Sequence, residues 1–287
     1  MKIAFGMIVC NGDDYLEACI RQVYSFADQI VVSEGATESW MKAMGWDSPE
    51  SKDETNAILW RLQREDGGRK IKVIHGGWTD KIQQSNGYMP LIDPSTDYVW
   101  QLDSDEFYMR PDLDKVKDYL EKERPTYVDV RQLHFFKNFK TIAVGQTEGW
   151  GWETPQPRIQ KFYPGCKYIE HRPPMIVDPR TGVGNGDIKR ANLTEKTGVV
   201  CFHYNYVTNK QVREKMAYYA TEFPQVQRLQ TWVKDVWEAW DKNRDLVESN
   251  FGTHPTAWKG SKTAGYGGPH PEEMEKRINE IVLDNPQ

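Results

Sequence analysis

The first 110 residues alternate between short apolar runs and stretches in which apolar residues recur at helical spacing. The apolar runs predict strands at residues 2–9, 29–33, 71–75 and 98–102. The amphipathic stretches predict helices at residues 14–26, from 48–49 towards 65, and at 81–92. This alternation is typical of β-α-β units, so we predict an α/β fold with a Rossmann-like, mostly parallel central sheet flanked by helices.

The pattern changes in the second half of the chain. Residues 127–204 contain further β-rich runs, at 127–133, 141–144, 158–163 and 199–204. A capping box from Thr208 to Gln211 then opens a helical stretch over 209–249, which we expect to break near Pro224. A last helix is predicted at 272–283, after a Gly- and Lys-containing loop at 252–271 that has the composition of a flexible lid. We therefore expect a sheet domain at 1–207 and a helical extension packed on it at 208–287.

Charge and cysteine content limit the kinds of partner and the cellular compartment that we expect. The chain has 37 Lys and Arg against 42 Asp and Glu, a net charge of −5, and no block of like charges. This balance argues against nucleic acid or an anionic membrane as the main partner. The cysteines form no C-x-x-C pair, and the first apolar run is too short to span a membrane. We expect a cytoplasmic protein with reduced thiols and no membrane span.

The candidate chemistry lies in the turn after the fourth predicted strand. Asp103, Ser104, Asp105 and Glu106 follow an apolar strand at the sheet edge where α/β folds bind ligands. Two carboxylates spaced i and i+2 can surround one hard divalent cation, for which Mg²⁺ or Mn²⁺ is suited. An acidic turn alone is also common on protein surfaces, and the buried strand before it is what favours a site.

Four separated segments, in order, resemble the family 2 glycosyltransferases of the GT-A fold, particularly the lipopolysaccharide-core type. The segments are IVCNGDDYL at 8–16 with ADQIVVSEGAT at 27–37, then 81–86 with DYVWQLDSDE at 97–106, then RIQKFYPG at 158–165 with Tyr168 and His171, and CFHYNY at 201–206 with Lys215, Tyr218 and Tyr219. The resemblance covers about residues 3–220 and implies a nucleotide-sugar donor, with UDP as the expected nucleotide, and a carbohydrate or glycoconjugate acceptor.

The resemblance also implies roles for individual residues. The metal ligands would be Asp103, Asp105 and His203, where a late histidine joins the acidic motif. The donor contacts would be Val9, Asn11, Glu34, Lys81, Asn86, Asp103 and Ser104. Glu34 stands where the family usually has Asp, at a strand end whose carboxylate can accept hydrogen bonds from the base or ribose.

Family members generally invert the anomeric configuration, which requires a protein base on the acceptor side. The candidates for this base are Glu153, Glu170, His171 and Asp187. Glu170 is preferred, because it precedes His171 in the segment where the family shows a His-Glu pair and this chain has His171 followed by Arg172.

Two other classes of protein fit parts of the pattern. A non-catalytic carbohydrate-binding protein would use its 11 Trp and 14 Tyr to stack on sugars, with the acidic turn as a structural Ca²⁺ site. It would not bind nucleotides. A sugar-nucleotide pyrophosphorylase would have a Gly-, Arg- and Lys-containing loop after its first strand, where this chain has the acidic sequence CNGDD.

Overall fold

The computed structural model describes residues 1–145, 154–256 and 261–284. The described strands are β1 Ile3–Val9, β2 Gln29–Glu34, β3 Ile71–His75, β4 Tyr98–Gln101, β5 Glu106–Phe107, β6 Tyr127–Val130, β7 Gln132–Phe136, β8 Thr141–Val144, β9 Gln156–Lys161, β10 Lys167–His171, β11 Pro174–Val177, β12 Arg190–Asn192, β13 Cys201–Tyr206 and β14 Lys262–Gly265. The described α-helices are α1 Leu16–Tyr24, α2 Glu38–Met44, α3 Thr55–Asp66, α4 Lys81–Tyr88, α5 Arg110–Glu123, α6 Leu193–Thr197, α7 Asn209–Glu222, α8 Gln227–Trp232, α9 Arg244–Asn250 and α10 Glu272–Asp284.

The central sheet has the strand order β12-β6-β9-β4-β1-β2-β3. Its pairs are parallel except those that β9 makes with β4 and β6, so β9 is the one antiparallel strand of this sheet. The predicted mostly parallel sheet flanked by helices is confirmed. Strands β1 and β2 are buried almost throughout, as expected for parallel strands that are covered on both faces.

A second sheet, in the order β14-β8-β7-β13-β5, lies beside the acidic turn. Strand β4 ends at Gln101 in the first sheet, and the two-residue strand β5 starts at Glu106 in the second. In this second sheet His203 of β13 lies opposite Glu106 of β5. The turn 102–105 therefore connects the two sheets, and its carboxylates are fixed from both sides.

The main core packs large aromatic rings between sheet and helices. Trp100 of β4 is fully buried, stacks on Phe5 at 5.0 Å between ring centroids and meets Tyr108 edge to face at 4.9 Å. Such a ring pair stabilises by about 0.5–1.5 kcal/mol beyond its area burial. On the other face of the sheet, Gly6 of β1 is required because a Cβ there would lie 2.5 Å from the Tyr88 ring.

Helices α2, α3 and α5 of the first half differ from the prediction, and α5, at Arg110–Glu123, was not predicted at all. Helix α2 was not predicted; Thr37 caps it by accepting a hydrogen bond from the Trp40 N–H. Helix α3 begins at Thr55 rather than near residue 48. The preceding loop is held open by contacts to the sheet edge, because the Ser51 N–H donates to Glu34 Oε1 and the Asn11 N–H donates to Ser51 Oγ.

The section after residue 207 contributes both helices and a strand. Helix α7 begins at the predicted cap, where Thr208 accepts from the Gln211 N–H, and it ends two residues before Pro224. Within the loop at 252–271, residues 262–265 form β14, which pairs with β8, while residues 257–260 lie outside the described part of the chain. None of the described helices combines the length and apolar character that a membrane crossing needs.

Candidate functional site

A cavity of about 550 Å³ lies at the carboxyl ends of β1 and β4, where the sequence placed the acidic turn. One wall comes from these strand ends, a second from β7 and β13, a third from the β10–β11 hairpin and a fourth from α7. The sheet edge is held open by Gly35, whose φ is +123° and whose Cβ would lie 1.9 Å from the carbonyl oxygen of Gly76. Only glycine fits this position.

The three carboxylates of the turn have different surroundings. Asp103 is partly exposed to the cavity, with a guanidinium nitrogen of Arg158 at 3.5 Å from its Oδ2. Glu106 is fully buried, and its Oε1 accepts hydrogen bonds from Arg158 Nε at 2.8 Å and from Gln132 Nε2 at 2.5 Å. Burial raises the pKa of Glu106, and Arg158 opposes that shift. Buried Arg158 is thus the counter-ion of two carboxylates.

Asp105 is buried among cationic and polar side chains. Its Oδ2 accepts from Gln211 Nε2 at 2.8 Å and from Lys215 Nζ at 3.3 Å, both on α7, and its Oδ1 lies 3.2 Å from His203 Nε2. Burial acts to raise the pKa of Asp105, but Lys215 and His203 outweigh it, so this pKa lies well below its usual range. Asp105 is therefore an anion fixed by three partners.

His203 presents a free nitrogen to the acidic turn. It is 8% exposed, and its Nδ1 has no hydrogen-bond partner within the described residues and lies 4.0 Å from Glu106 Oε1. Ligand atoms of Asp103, Glu106 and His203 all lie within 4.8 Å of one another. If Nε2 carries the proton donated to Asp105, Nδ1 keeps a lone pair that can bind a cation, and carboxylates that orient metal-bound histidines act in this way.

The edge next to β1 is lined by backbone and amide groups. Asn11 has a φ of +52°, in the left-handed region that Asn tolerates, and its Nδ2 donates to Glu214 Oε1 at 3.1 Å. Gln84 of α4 donates from Nε2 to the carbonyl oxygen of Gly35 at 2.8 Å and so holds α4 against the strand ends. Burial raises the pKa of Glu214.

The structure brings most of the predicted site residues together. The predicted residues that line the cavity are Val9, Asn11, Lys81, Asp103, Ser104, Asp105, His171 and His203. Those that do not line it are Glu34, Asn86, Glu170 and Asp187. Glu153 lies outside the described residues.

The four residues outside the cavity wall have other surroundings. The buried Glu34 carboxylate accepts from the Ser51 N–H and lies 3.0 Å from His75 Nδ1. Asn86 makes two hydrogen bonds to the Tyr168 backbone, which tie α4 to β10. Glu170 on β10 and Asp187 are exposed. Their assignments stay predictions.

Sequence reasoning missed the contribution of α7. Gln211, Lys215 and Tyr219 are spaced i, i+4 and i+8, and with Glu214 they form one polar helix face that lines the cavity. The spacing was a usable signal, because a polar stripe beside the capping box at Thr208 predicts a helix with a hydrophilic function on one face. Arg158 was also missed as a site residue, although it lies within a segment that the resemblance matched.

The same helix is tied to the start of the chain by polar contacts. Thr208 Oγ1 donates to Asp14 Oδ2 at 3.0 Å, and Lys210 Nζ lies 2.6 Å from Asp13 Oδ1. Together with the bond from Asn11 to Glu214, these contacts clamp α7 across the end of β1. The cavity is therefore built from segments that are far apart in the sequence, from β1 near the start of the chain to α7.

No protein-family model and no curated protein sequence matches the chain. Among solved structures, it is similar to S. aureus TarS 1-349 in complex with UDP-GlcNAc, at 10% identity over 87% of this chain and 78% of that one, with a TM-score of 0.45. A match to a longer TarS chain has 14% identity and a TM-score of 0.35, over 47% of this chain and 22% of that one. A match to glucosyl-3-phosphoglycerate synthase from Mycobacterium tuberculosis in complex with Mn²⁺, UDP and glucosyl-3-phosphoglycerate has 14% identity and a TM-score of 0.26, over 47% of this chain and 44% of that one. At these identities and scores, function has to be argued from the site itself.

Proposed function

We propose that the protein is a metal-dependent glycosyltransferase that moves a sugar from a nucleoside-diphosphate donor, with UDP as the expected nucleotide, to an acceptor hydroxyl. The observation that carries this proposal is the juxtaposition of Asp103, Glu106 and the free Nδ1 of His203 at the carboxyl edge of a mostly parallel sheet. That edge is where α/β folds bind nucleotides, and the cavity of about 550 Å³ is within the range of small-molecule sites.

The residues present fit a divalent cation. Asp103, Glu106 and His203 would hold Mn²⁺ or Mg²⁺, while Asp105 would orient His203 instead of binding the ion. The sequence-based set of Asp103, Asp105 and His203 differs in one member. Glu106 takes the place of Asp105 here, because ligand atoms of Asp103, Glu106 and His203 lie within 4.8 Å of one another. When bound, the cation supplies positive charge that stabilises the departing diphosphate.

The chain's own residues would carry out the other steps. Val9 at the carboxyl end of β1 would contact the nucleoside, Asn11 would orient Glu214, and Lys215 would hold Asp105 ionised and in place. An inverting transfer needs a base that takes the proton of the acceptor hydroxyl. Glu214 lines the cavity with no salt bridge to a described residue, and its raised pKa suits proton transfer, whereas Glu170 is exposed outside the cavity wall. We therefore place the base at Glu214 in preference to Glu170.

The test of metal dependence is UDP binding by calorimetry, with Mn²⁺ and with EDTA. We expect binding to fall at least about tenfold on chelation and to return with Mn²⁺. Asp103→Asn should lower Mn²⁺-dependent binding in the same way, while Asp114→Asn, an equal charge change on exposed α5, should not. UDP affinity that is the same with EDTA would contradict metal dependence. No UDP binding under any condition would favour the carbohydrate-binding protein.

The test of the base is a comparison of two carboxylate variants. Glu214→Gln should leave UDP binding near that of the wild type and lower transfer by about 10²-fold or more, as expected for a lost general base. Glu170→Gln is the matched control. If Glu170→Gln abolishes transfer and Glu214→Gln does not, the base is Glu170.

A further inference from the structure

One side of the cavity is lined by cationic side chains from separate elements. Lys81 comes from the first turn of α4, Arg172 from the β10–β11 hairpin and Lys215 from α7. The Arg172 guanidinium lies over the Tyr219 ring at 4.7 Å and donates to the Tyr219 hydroxyl at 2.9 Å. Lys81 Nζ lies 5.1 Å from the centre of the Tyr218 ring. The three cations therefore line the same cavity although they come from three separate elements.

These cations differ in how they are neutralised. Lys215 has a carboxylate partner, Asp105, at 3.3 Å. Lys81 and Arg172 have no carboxylate within salt-bridge distance among the described residues, and their described contacts are with tyrosines. Neither of these two cations is neutralised by a carboxylate of the described residues. Lys81 is partly exposed and Arg172 is exposed, so both charges are open to an anion bound in the cavity.

The neighbouring side chains respond to this positive charge. Burial and the charge of Arg172 lower the pKa of Lys81. Burial together with Lys81 and Arg172 lowers the pKa of His171 to about 2, and its buried Nδ1 has no hydrogen-bond partner among the described residues. Although burial acts in the opposite direction, Arg172, Lys215 and Lys81 lower the pKa of the Tyr219 phenol. All three groups therefore sense a local excess of positive charge.

We propose that Lys81, Arg172 and Tyr219 form a binding subsite for a phosphate-class dianion that does not depend on the metal. Arg172 offers a planar fork of donors that matches two phosphate oxygens, and Tyr219 fixes its orientation. Lys81, from the first turn of α4, adds a second positive charge. Two sources share this chemistry: the diphosphate of the donor, and a phosphate group on the acceptor. The choice between them rests on the proposed glycosyl transfer, whereas the subsite itself does not.

The first experiment measures inorganic phosphate binding by calorimetry at pH 8 in EDTA, with the wild type and with Arg172→Gln. We expect saturable binding by the wild type and a loss of about 10- to 100-fold in Arg172→Gln, the range for removing a charge-assisted hydrogen bond. Arg64→Gln is the control, because Arg64 is an exposed arginine over the Trp60 ring and makes the same charge change outside the cavity. No saturable binding by the wild type, or equal affinity in Arg172→Gln, would overturn the proposal.

A second variant guards against a folding defect. Lys81→Gln removes the other cation without touching the Arg172–Tyr219 contact, and it should also weaken phosphate binding by at least about tenfold. Equal affinity in a folded Lys81→Gln protein would remove Lys81 from the subsite. EDTA is present in all phosphate measurements. A protein that does not bind phosphate could therefore still bind UDP with Mn²⁺, and a protein that does not bind UDP could still bind phosphate, so the two proposals can fail separately.

The third arm identifies the source of the anion. The protein is saturated with UDP and Mn²⁺, and phosphate binding is measured again. If UDP excludes phosphate competitively, the subsite takes the donor diphosphate. If phosphate binds beside UDP with Arg172-dependent affinity, the subsite takes a phosphate group on the acceptor. Either result supports an anion subsite, and each assigns a different chemical class of group to it.

Discussion

Replacing Arg158 by methionine should destabilise the protein strongly at neutral pH. Arg158 and Glu106 are both buried, and Arg158 also lies 3.5 Å from Asp103. Removing the guanidinium leaves Glu106 as an uncompensated buried charge, which typically costs about 3–5 kcal/mol. For 287 residues with an unfolding entropy of about 2.1 cal/mol/K each, this corresponds to a Tm lowered by roughly 5–8 °C.

The cost should depend on pH in one direction. Burial already raises the pKa of Glu106, and without Arg158 the pKa rises further. The folded protein then holds a proton that the unfolded chain has released, so stability falls as pH rises through the window between the ordinary value of about 4.3 and the raised one. The penalty of Arg158→Met is therefore smallest near pH 4 and largest above pH 7.

The assay is urea unfolding in EDTA at pH 5 and pH 8. Arg213→Met is the control, because Arg213 is paired with Glu238 and both side chains are exposed, at 58% and 43%, so we expect at most about 1 kcal/mol. The double variant Arg158→Met with Glu106→Gln should recover much of the loss, since it removes both members of the pair. A loss below about 1 kcal/mol at pH 8, or one that does not change with pH, would refute the view of Arg158 as the counter-ion of the acidic turn.

Three further outcomes follow from the site. Asp105→Asn should lower the unfolding free energy at pH 7 by about 1–3 kcal/mol, because Lys215 loses its partner. The difference from the wild type should shrink as pH falls below about 4, because this carboxylate then takes up a proton in the unfolded wild-type chain. Urea unfolding at pH 7 and below about pH 4 measures both effects. His171, with a pKa of about 2, stays neutral in the folded protein, while in the unfolded chain it takes up a proton below about pH 6.5. This difference destabilises the wild type as pH falls from 6.5 to 4, by up to about 1.4 kcal/mol per pH unit. His171→Gln should remove that loss, as measured by thermal unfolding across the same pH range. Gly35→Ala should cost about 3 kcal/mol or more, because its φ is +123° and its Cβ would meet Gly76 O; circular dichroism melting would show a Tm lowered by about 5 °C, and an unchanged Tm would contradict it.

The parts of the fold that follow local sequence pattern were predictable. Strands β1 to β4 are short apolar runs, and their parallel pairing follows from alternation with amphipathic helices. The capping box at Thr208 predicted the first residue of α7. Helix α2 and the start of α3 were missed, because hydrogen bonds from Asn11 and Ser51 to distant groups determine the loop between them.

The acidic turn was predictable, but its charge state was not. An Asp-Ser-Asp-Glu sequence taken alone suggests carboxylates that repel one another until a metal binds. In the structure, Arg158 of β9 pairs with Glu106 and Lys215 of α7 pairs with Asp105, so the protein itself neutralises these two carboxylates of the turn. Neither partner is near the turn in sequence, so the contacts of Asp105 with His203 and Lys215 could not be read from the i, i+2 spacing, and the role of Asp105 as a ligand stays a prediction.

The clamp between α7 and the end of β1 ties the site to the order of folding. Asn11 and Glu214 are 203 residues apart along the chain, so their contact closes a very long loop and carries a large entropic cost. Contacts of such high sequence separation raise the contact order of a chain, which slows its folding. A chain in which α7 is not docked would lack both the fourth wall of the cavity and the Gln211 and Lys215 contacts that hold Asp105. Because α7 carries one wall of the cavity and two partners of Asp105, docking of this helix and completion of the site are one event.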